Sequence, residues 1–300
     1  MFDTVPILDC NGRALKLDRP RICGILNLTG DSFSGDGLRD DVQAAVAQGM
    51  AMVEQGADML DIGAESTRPG ATSVEVAAEV ERAVPVIEAL AKRVEVPISI
   101  DTSKPEVMRA AVAAGAGLIN DVYALRRDGA LDAAAESKVP VCLMHMQGEP
   151  GTMQDDPHYD DVVGEVHRFL AERVFACEMA GIDKRRVLVD PGFGFGKTLE
   201  HNLALLRSLD RFRNLGAGVL VGLSRKAMIG TLTGRKAGAD RAAGSAAAAM
   251  IAVQRGAMIV RVHDVAATRD ALAVWQAVHE GDAPVKAEPK AFGSQRFGDD

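Results

Sequence analysis

The sequence predicts an α/β protein of the (β/α)8 TIM-barrel class, with an N-terminal β-hairpin and a disordered C-terminal tail. Two observations carry this. About eight short apolar runs each end in a polar or charged residue and lead into a helical stretch. They close on Leu26-Asn27, Asp61-Ile62-Gly63, Ile100-Asp101, Asn120-Asp121, Met144-His145, Val189-Asp190, Leu223-Ser224 and Val262-His263. Apolar runs of this length suit strands buried on both faces, as in a parallel sheet. The second observation is that nearly every run has a polar end, and the C-terminal ends of the strands are where a (β/α)8 barrel gathers its functional groups. A doubly wound open sheet shows the same alternation but seats its ligand at one switch point. Polar ends on so many units favour the barrel.

The elements follow in order. Residues 5–17 read as the hairpin, with Ile7, Leu8 and Cys10 on one arm and Ala14, Leu15 and Leu17 on the other. Asn11-Gly12 between them is the strongest short hairpin signal, because both turn positions need positive φ. Helical stretches are expected near 41–56, 74–93, 105–114, 129–137, 160–180, 199–209, 240–255 and 265–279. In the first, Val42, Val46, Gly49, Met50 and Val53 recur at helical spacing and turn inward onto the strands. Val96-Pro97 and Asp190-Pro191 put proline at strand boundaries, where it does least harm. With 300 residues, the chain has room for one barrel of about 250. We place that single domain at 1–280. From Gly281 the pattern dissolves into Pro, Lys, Glu, Gly and Asp, and 281–300 is expected to be a disordered tail.

Composition narrows the class. A chain that is 47% hydrophobic and 25% charged is ordinarily soluble and globular. The net charge of -8 argues against a nucleic-acid or anionic-membrane partner, although a local basic cluster can still bind an anion. No apolar run approaches the roughly 20 residues of a membrane span, and no signal peptide is expected. Cys10, Cys23, Cys142 and Cys177 lack paired metal-site spacing and read as reduced core thiols of a cytoplasmic protein.

Three constellations could carry chemistry. Asp101, Asp190 and the pair Asn120-Asp121 end apolar runs. Any one of them could simply cap a helix. Together they suit a ligand rich in N–H donors, because an ionised Asp accepts two parallel bonds from a guanidine-like edge; a divalent-metal site is the alternative. The loop Asp190-Pro191-Gly192-Phe193-Gly194-Phe195-Gly196-Lys197 lets backbone pass close to a ligand. One phenylalanine can serve as an aromatic wall, or fill the core. The cations Arg68, Arg225, Lys226, Arg261 and His263 follow strands, and Arg261 and His263 share one face. Just before a helix N-terminus, that pair favours a phosphate or pyrophosphate. Two polar, Gly-rich loops, Thr29 to Asp40 and Ser66 to Ser73, could serve as lids. His145, lone among methionines, reads as a structural group.

These residues also carry a resemblance. Gly24-Ile25-Leu26-Asn27-Leu28-Thr29-Gly30-Asp31-Ser32-Phe33-Ser34 and Asp61-Ile62-Gly63-Ala64-Glu65-Ser66-Thr67-Arg68-Pro69-Gly70 resemble two signatures of the dihydropteroate synthase family. Ser99-Ile100-Asp101-Thr102, Ile119-Asn120-Asp121-Val122, His145-Met146-Gln147-Gly148, Asp190 to Gly194, Ser224-Arg225-Lys226 and Arg261 to Asp264 match in order. The resemblance spans residues 5 to 280. It implies condensation of 6-hydroxymethyl-7,8-dihydropterin pyrophosphate with p-aminobenzoate, giving 7,8-dihydropteroate and pyrophosphate in folate synthesis. It further implies that Asp101, Asn120, Asp190 and Lys226 hold the pterin. Asn27, Thr67, Arg68, Arg261 and His263 would take pyrophosphate, with Mg2+ at Asn27. Phe33, Thr67, Pro69, Phe195, Ser224 and Lys226 would surround p-aminobenzoate. A homodimer and a sulfonamide target are implied as well. The first loop departs from the family pattern: Gly30 stands where Pro is usual, and Ser34-Gly35-Asp36-Gly37 moves the loop acid by one position. A pterin-binding methyltransferase barrel and a non-catalytic paralogue are the competing readings.

Overall fold

The computed structural model describes residues 5–28, 42–66 and 73–280. Strands β1 (Ile7–Cys10) and β2 (Arg13–Lys16) pair antiparallel, with Cys10 opposite Arg13. Asn11 and Gly12 between them have φ of 57° and 82°, the two positive angles that the Asn-Gly turn was expected to supply.

Eight parallel strands then close on themselves: β3 (Arg21–Asn27), β4 (Met59–Gly63), β5 (Ile98–Asp101), β6 (Leu118–Asp121), β7 (Val141–Met144), β8 (Val187–Asp190), β9 (Gly218–Gly222) and β10 (Ile259–Val262). β10 pairs with both β9 and β3, so the sheet has no edge and the open-sheet alternative is excluded. Around it run α1 (Val42–Glu54), α2 (Val76–Ala91), α3 (Pro105–Ala113), α4 (Ala130–Ser137), α5 (Val162–Met179), α6 (Leu199–Arg207), α7 (Ala227–Thr233), α8 (Ala242–Gln254) and α9 (Val265–Glu280). Eight of these fall where the sequence predicts them. α7 was not expected: at 7 residues it is too short to show a helical period, and it carries Gly230 and two β-branched threonines.

Side chains alternate across each strand. One set, including Leu26, Leu60, Ile62, Ile100, Ile119, Leu143, Val189, Val221 and Val260, packs outward against the helices. The other set points into the barrel. Its lower layer is Cys23, Met59, Leu118, Cys142, Leu188, Leu220 and Ile259, capped from below by Leu8, Cys10, Leu15 and Leu17 of the hairpin. The hairpin therefore plugs the N-terminal end of the barrel. Its approach is close enough that a Cβ on Gly117 would lie 2.3 Å from the Cys10 carbonyl oxygen. All four cysteines are buried and free. The tail 281–300, the candidate lid Thr29 to Asp40, and all of the candidate lid Ser66 to Ser73 except its two end residues lie outside the described residues.

Candidate active site

Two residues above the apolar plug on the same strand faces, the chemistry changes. Leu118 gives way to Asn120, Leu188 to Asp190, Met59 to Asp61 and Ile259 to Arg261. Register brings neighbours level: Asp101 pairs with Gly63 on one side and Asn120 on the other, and Asn27 pairs with Gly63. Because position 63 is glycine, the mouth stays open there. A Cβ would lie 3.5 Å from that of Asp101 and 3.8 Å from Asn27 Oδ1. The carboxylate of Asp101 and the carboxamide of Asn27 therefore face one space.

Arg261 joins the acids. Its Nε donates to Asp61 Oδ2 at 2.5 Å and its Nη2 to Asp101 Oδ2 at 2.8 Å. Asn120 Nδ2 donates to the same Asp61 oxygen at 3.3 Å. Burial works against the Arg261 charge, but Asp61 and Asp101 overcome it and its pKa rises. Burial also pushes the Asp101 carboxyl up to about 7, against the pull of Arg261 and with the repulsion of Asp61. Asp190 is raised by burial too, and is held back by Lys226 and by the Gly192 N–H, which donates to its Oδ1 at 2.8 Å.

Lys226 sits opposite Asp190. Burial lowers its pKa to about 8, against the attraction of Asp190. Its ammonium donates to the Phe193 carbonyl and lies 4.4 Å from the centre of the Phe195 ring, a cation–π contact. Its direction is set by Arg225, a non-glycine residue at φ 59°. Such backbone costs on the order of 1–3 kcal/mol. The surroundings hold it: the Arg225 N–H donates to Ser245 Oγ at 2.9 Å, and its guanidinium grips both oxygens of Asp264 at 3.0 and 2.6 Å. Ser224 Oγ accepts the His263 N–H at 3.1 Å and lies 3.0 Å from His263 Nδ1. The loops after β9 and β10 are thus tied together at the rim.

The result is a floor of acceptors with one ammonium, under a rim that carries the Arg261 guanidinium and the His263 imidazole. The floor can take the amino-pyrimidine edge and carbonyl of a planar heterocycle, and the rim can take an anion. Of the residues expected from the sequence, Asn27, Asp101, Asn120, Asp190, Phe195, Ser224, Lys226, Arg261 and His263 gather at this mouth. Phe33, Thr67, Arg68, Pro69, and Gly30 with Gly35-Asp36 lie outside the described residues. Asp121 is structural: its carboxylate accepts from the Ser103 hydroxyl and from the N–H groups of Tyr123 and Leu125. His145 is structural as well, stacked edge-on to Phe169 at 4.9 Å. Phe193 is fully buried, so one phenylalanine of the glycine loop fills core while the other walls the site.

A family model described as pterin binding enzyme matches residues 23–263. Dihydropteroate synthase of Escherichia coli strain K12 is 51% identical over 270 residues, 90% of this chain and 95% of that protein. The chain belongs to the dihydropteroate synthase family. Among solved structures of the family, the Xanthomonas albilineans enzyme with 4-aminobenzoic acid is 64% identical with a TM-score of 0.87, over 92% of this chain and 98% of that one. The same organism's enzyme in complex with 7,8-dihydropteroate is 60% identical with a TM-score of 0.83, over 91% and 98%.

Three features escape the sequence: two single residues and one pair. Asp61 lies inside an apolar run instead of ending it; its signal was a charge two residues before Gly63, on the inward face. Lys197 closes the glycine loop and looks like an ordinary surface lysine, yet it is 3% exposed. The Arg225–Asp264 clamp joins residues 39 apart, and no local pattern announces such a pair.

Proposed function

We propose that this chain condenses 6-hydroxymethyl-7,8-dihydropterin pyrophosphate with p-aminobenzoate, forming 7,8-dihydropteroate and releasing pyrophosphate. The observation that carries the reading is the convergence of Asp101, Asn120, Asp190 and Lys226 on one floor beside the Arg261–His263 rim, in a member of this family.

Asp101, Asn120 and Asp190 accept and donate along the amino-pyrimidine edge of the pterin, and Lys226 donates to its ring carbonyl. At the exocyclic CH2 the C–O bond to pyrophosphate breaks and the C–N bond to the amine forms. The electron-rich ring stabilises positive charge at that carbon. Arg261 and His263, with Arg68, Thr67 and Asn27, take the developing charge on pyrophosphate. Phe195, Ser224 and the Lys226 stem, with Phe33, Thr67 and Pro69, hold the p-aminobenzoate ring so that its amine faces the carbon. The amine gives up its proton as the new bond forms.

Mg2+ belongs to this reading as a partner of the leaving group. Among the described residues no cluster of three His, Cys, Asp or Glu side chains could hold a metal. Asn27 offers one hard oxygen at the mouth, which suits Mg2+, an ion that keeps several waters and takes substrate phosphate oxygens. Bound there, it would offset charge on pyrophosphate. A homodimer is supported by exposed Leu232, Ile251, Val274 and Val278 on α7, α8 and α9, and is checked by sedimentation. Four free buried thiols fit a reducing, cytoplasmic location; no described helix is long and apolar enough to cross a membrane.

The test is pyrophosphate release with both substrates, with each alone, and with the amine replaced by benzoate. Release that requires both, with stoichiometric 7,8-dihydropteroate, is expected. Release without the amine, or none at all, overturns the reading.

A further inference from the structure

The glycine loop Pro191–Gly196 has little stiffness of its own. Gly192, Gly194 and Gly196 are all at positive φ, and glycine has more backbone freedom than any other residue. Yet this loop carries Phe195, whose ring meets Lys226, and the Phe193 carbonyl that accepts from Lys226. Its order must be imposed from outside. Beneath it lies Lys197, whose ammonium has three N–H donors and three acceptors within reach: the Phe195 carbonyl at 2.9 Å, His145 Nδ1 at 2.9 Å and the His145 carbonyl at 3.4 Å. Beside it, the Tyr159 hydroxyl donates to the Gly196 carbonyl at 2.9 Å, and Asn202 Oδ1 accepts the Gly194 N–H at 2.7 Å. The loop cannot slide further down, since a Cβ on Gly192 would fall 1.8 Å from the His145 carbonyl oxygen.

We propose that Lys197, backed by His145 and Tyr159, is a positioning residue that holds the Phe195 carbonyl and so fixes the aromatic wall against which the aromatic amine substrate lies. The proposal rests on the function given above. A buried ammonium is costly to desolvate, and this one is aimed at the main chain of the residue that meets the substrate. Its hydrogen bonds go to Phe195 and His145, and only its charge reaches Asp190 and Lys226. Asp101 and Asn120 hold the pterin edge from other strands, and Asp190 stands at the start of this loop, where the Gly192 N–H holds it. Lys197 acts at the far end, on Phe195, so loosening that end should act more on the amine than on the pterin.

Lys197→Met keeps the stem and removes the donors; Tyr159→Phe keeps the ring and removes one. Steady-state kinetics with both substrates, calorimetric binding of a phosphate-free pterin and thermal melting are measured on the parent and both variants. Lys197→Met should raise the KM for p-aminobenzoate about tenfold, the scale of the hydrogen bonds its amine donates, and weaken pterin binding by a clearly smaller factor. Tyr159→Phe should move the same KM about threefold, the scale of a neutral hydrogen bond. An amine KM unchanged in both variants overturns the positioning role, and so does an equal weakening of amine and pterin that tracks a lowered melting temperature. If Lys197→Met loses its cooperative melt, Tyr159→Phe decides alone on the same readouts. A parent protein that forms no dihydropteroate would instead overturn the proposed function, which separates the two failures.

Discussion

Asp61 and Asp101 share one guanidinium, and we predict that removing one acid moves the two ligands of this site in opposite directions. Asp61 is 1% exposed, accepts from Arg261 at 2.5 Å and from Asn120 at 3.3 Å, and has a second oxygen with no hydrogen-bond partner among the described residues. Asp61→Asn keeps the shape and one carbonyl acceptor but removes a buried negative charge. The Arg261–Asp61 contact then falls from an ion pair to a bond from a charged donor to a neutral carbonyl, a loss on the order of 1 kcal/mol. Arg261 loses roughly 1 kcal/mol of competition and settles on Asp101, whose carboxyl no longer feels Asp61 and stays ionised more readily. A pterin edge that needs both oxygens of Asp101 must then displace a stronger ion pair, and its affinity should fall about five- to tenfold, as 1 to 1.4 kcal/mol dictates. Pyrophosphate should bind more tightly, because the rim has lost a nearby negative charge and kept its cations. Calorimetry with a phosphate-free pterin and, separately, with pyrophosphate reads both terms. Unchanged pterin affinity, or a parallel fall for both ligands, refutes the shared-guanidinium argument.

Other outcomes follow from the same geometry. Asp101→Asn and Asp190→Asn should each weaken pterin binding by roughly 1.5–3 kcal/mol, one charge-assisted bond, while a double variant measured by calorimetry should lose more than either alone. The Lys226 ammonium, depressed to about 8 by burial, should lose its proton as pH rises through that value. Pterin affinity should then decline above about pH 8 in the parent but hold to higher pH in Lys226→Arg, whose group does not titrate there. Because the folded protein binds this proton less tightly than the unfolded chain, the burial penalty applies below about pH 8 and is relieved between there and the unfolded lysine value near 10.4; denaturant melts of the parent and the Lys226→Met variant across that window check the sign. Leu17→Ala, in the plug at 2% exposure, should cost about 2–5 kcal/mol of stability by urea unfolding and leave the KM values unchanged.

What could be read in the sequence divides along a physical line. The barrel was legible because a parallel strand buried on both faces must be apolar along its length, so the polar residue that ends it stands out. Asp101, Asn120, Asp190, Ser224 and His263 stand out that way, and the hairpin is legible from Asn11-Gly12. Asp61 does not, because it sits mid-strand with Leu60 and Ile62 beside it. Its charge is tolerated only because Arg261 arrives from a strand 200 residues away in the chain. The same holds for Lys197 and for the Arg225–Asp264 clamp. A residue whose function is to touch substrate is constrained in type, and its type can be read. A residue that acts by gripping another part of the chain is constrained only by where that part lies. Arg261 belongs to both classes. Its place beside His263 marks it as a candidate anion ligand, while the structure also binds it to Asp101, on the floor proposed for the pterin. The two subsites therefore share a charge, and filling one must alter the other. If so, pterin affinity measured with and without pyrophosphate should differ in the parent, and the difference should shrink when Arg261 is replaced by methionine. Equal coupling in the two proteins would mean that the subsites communicate by some path other than this side chain.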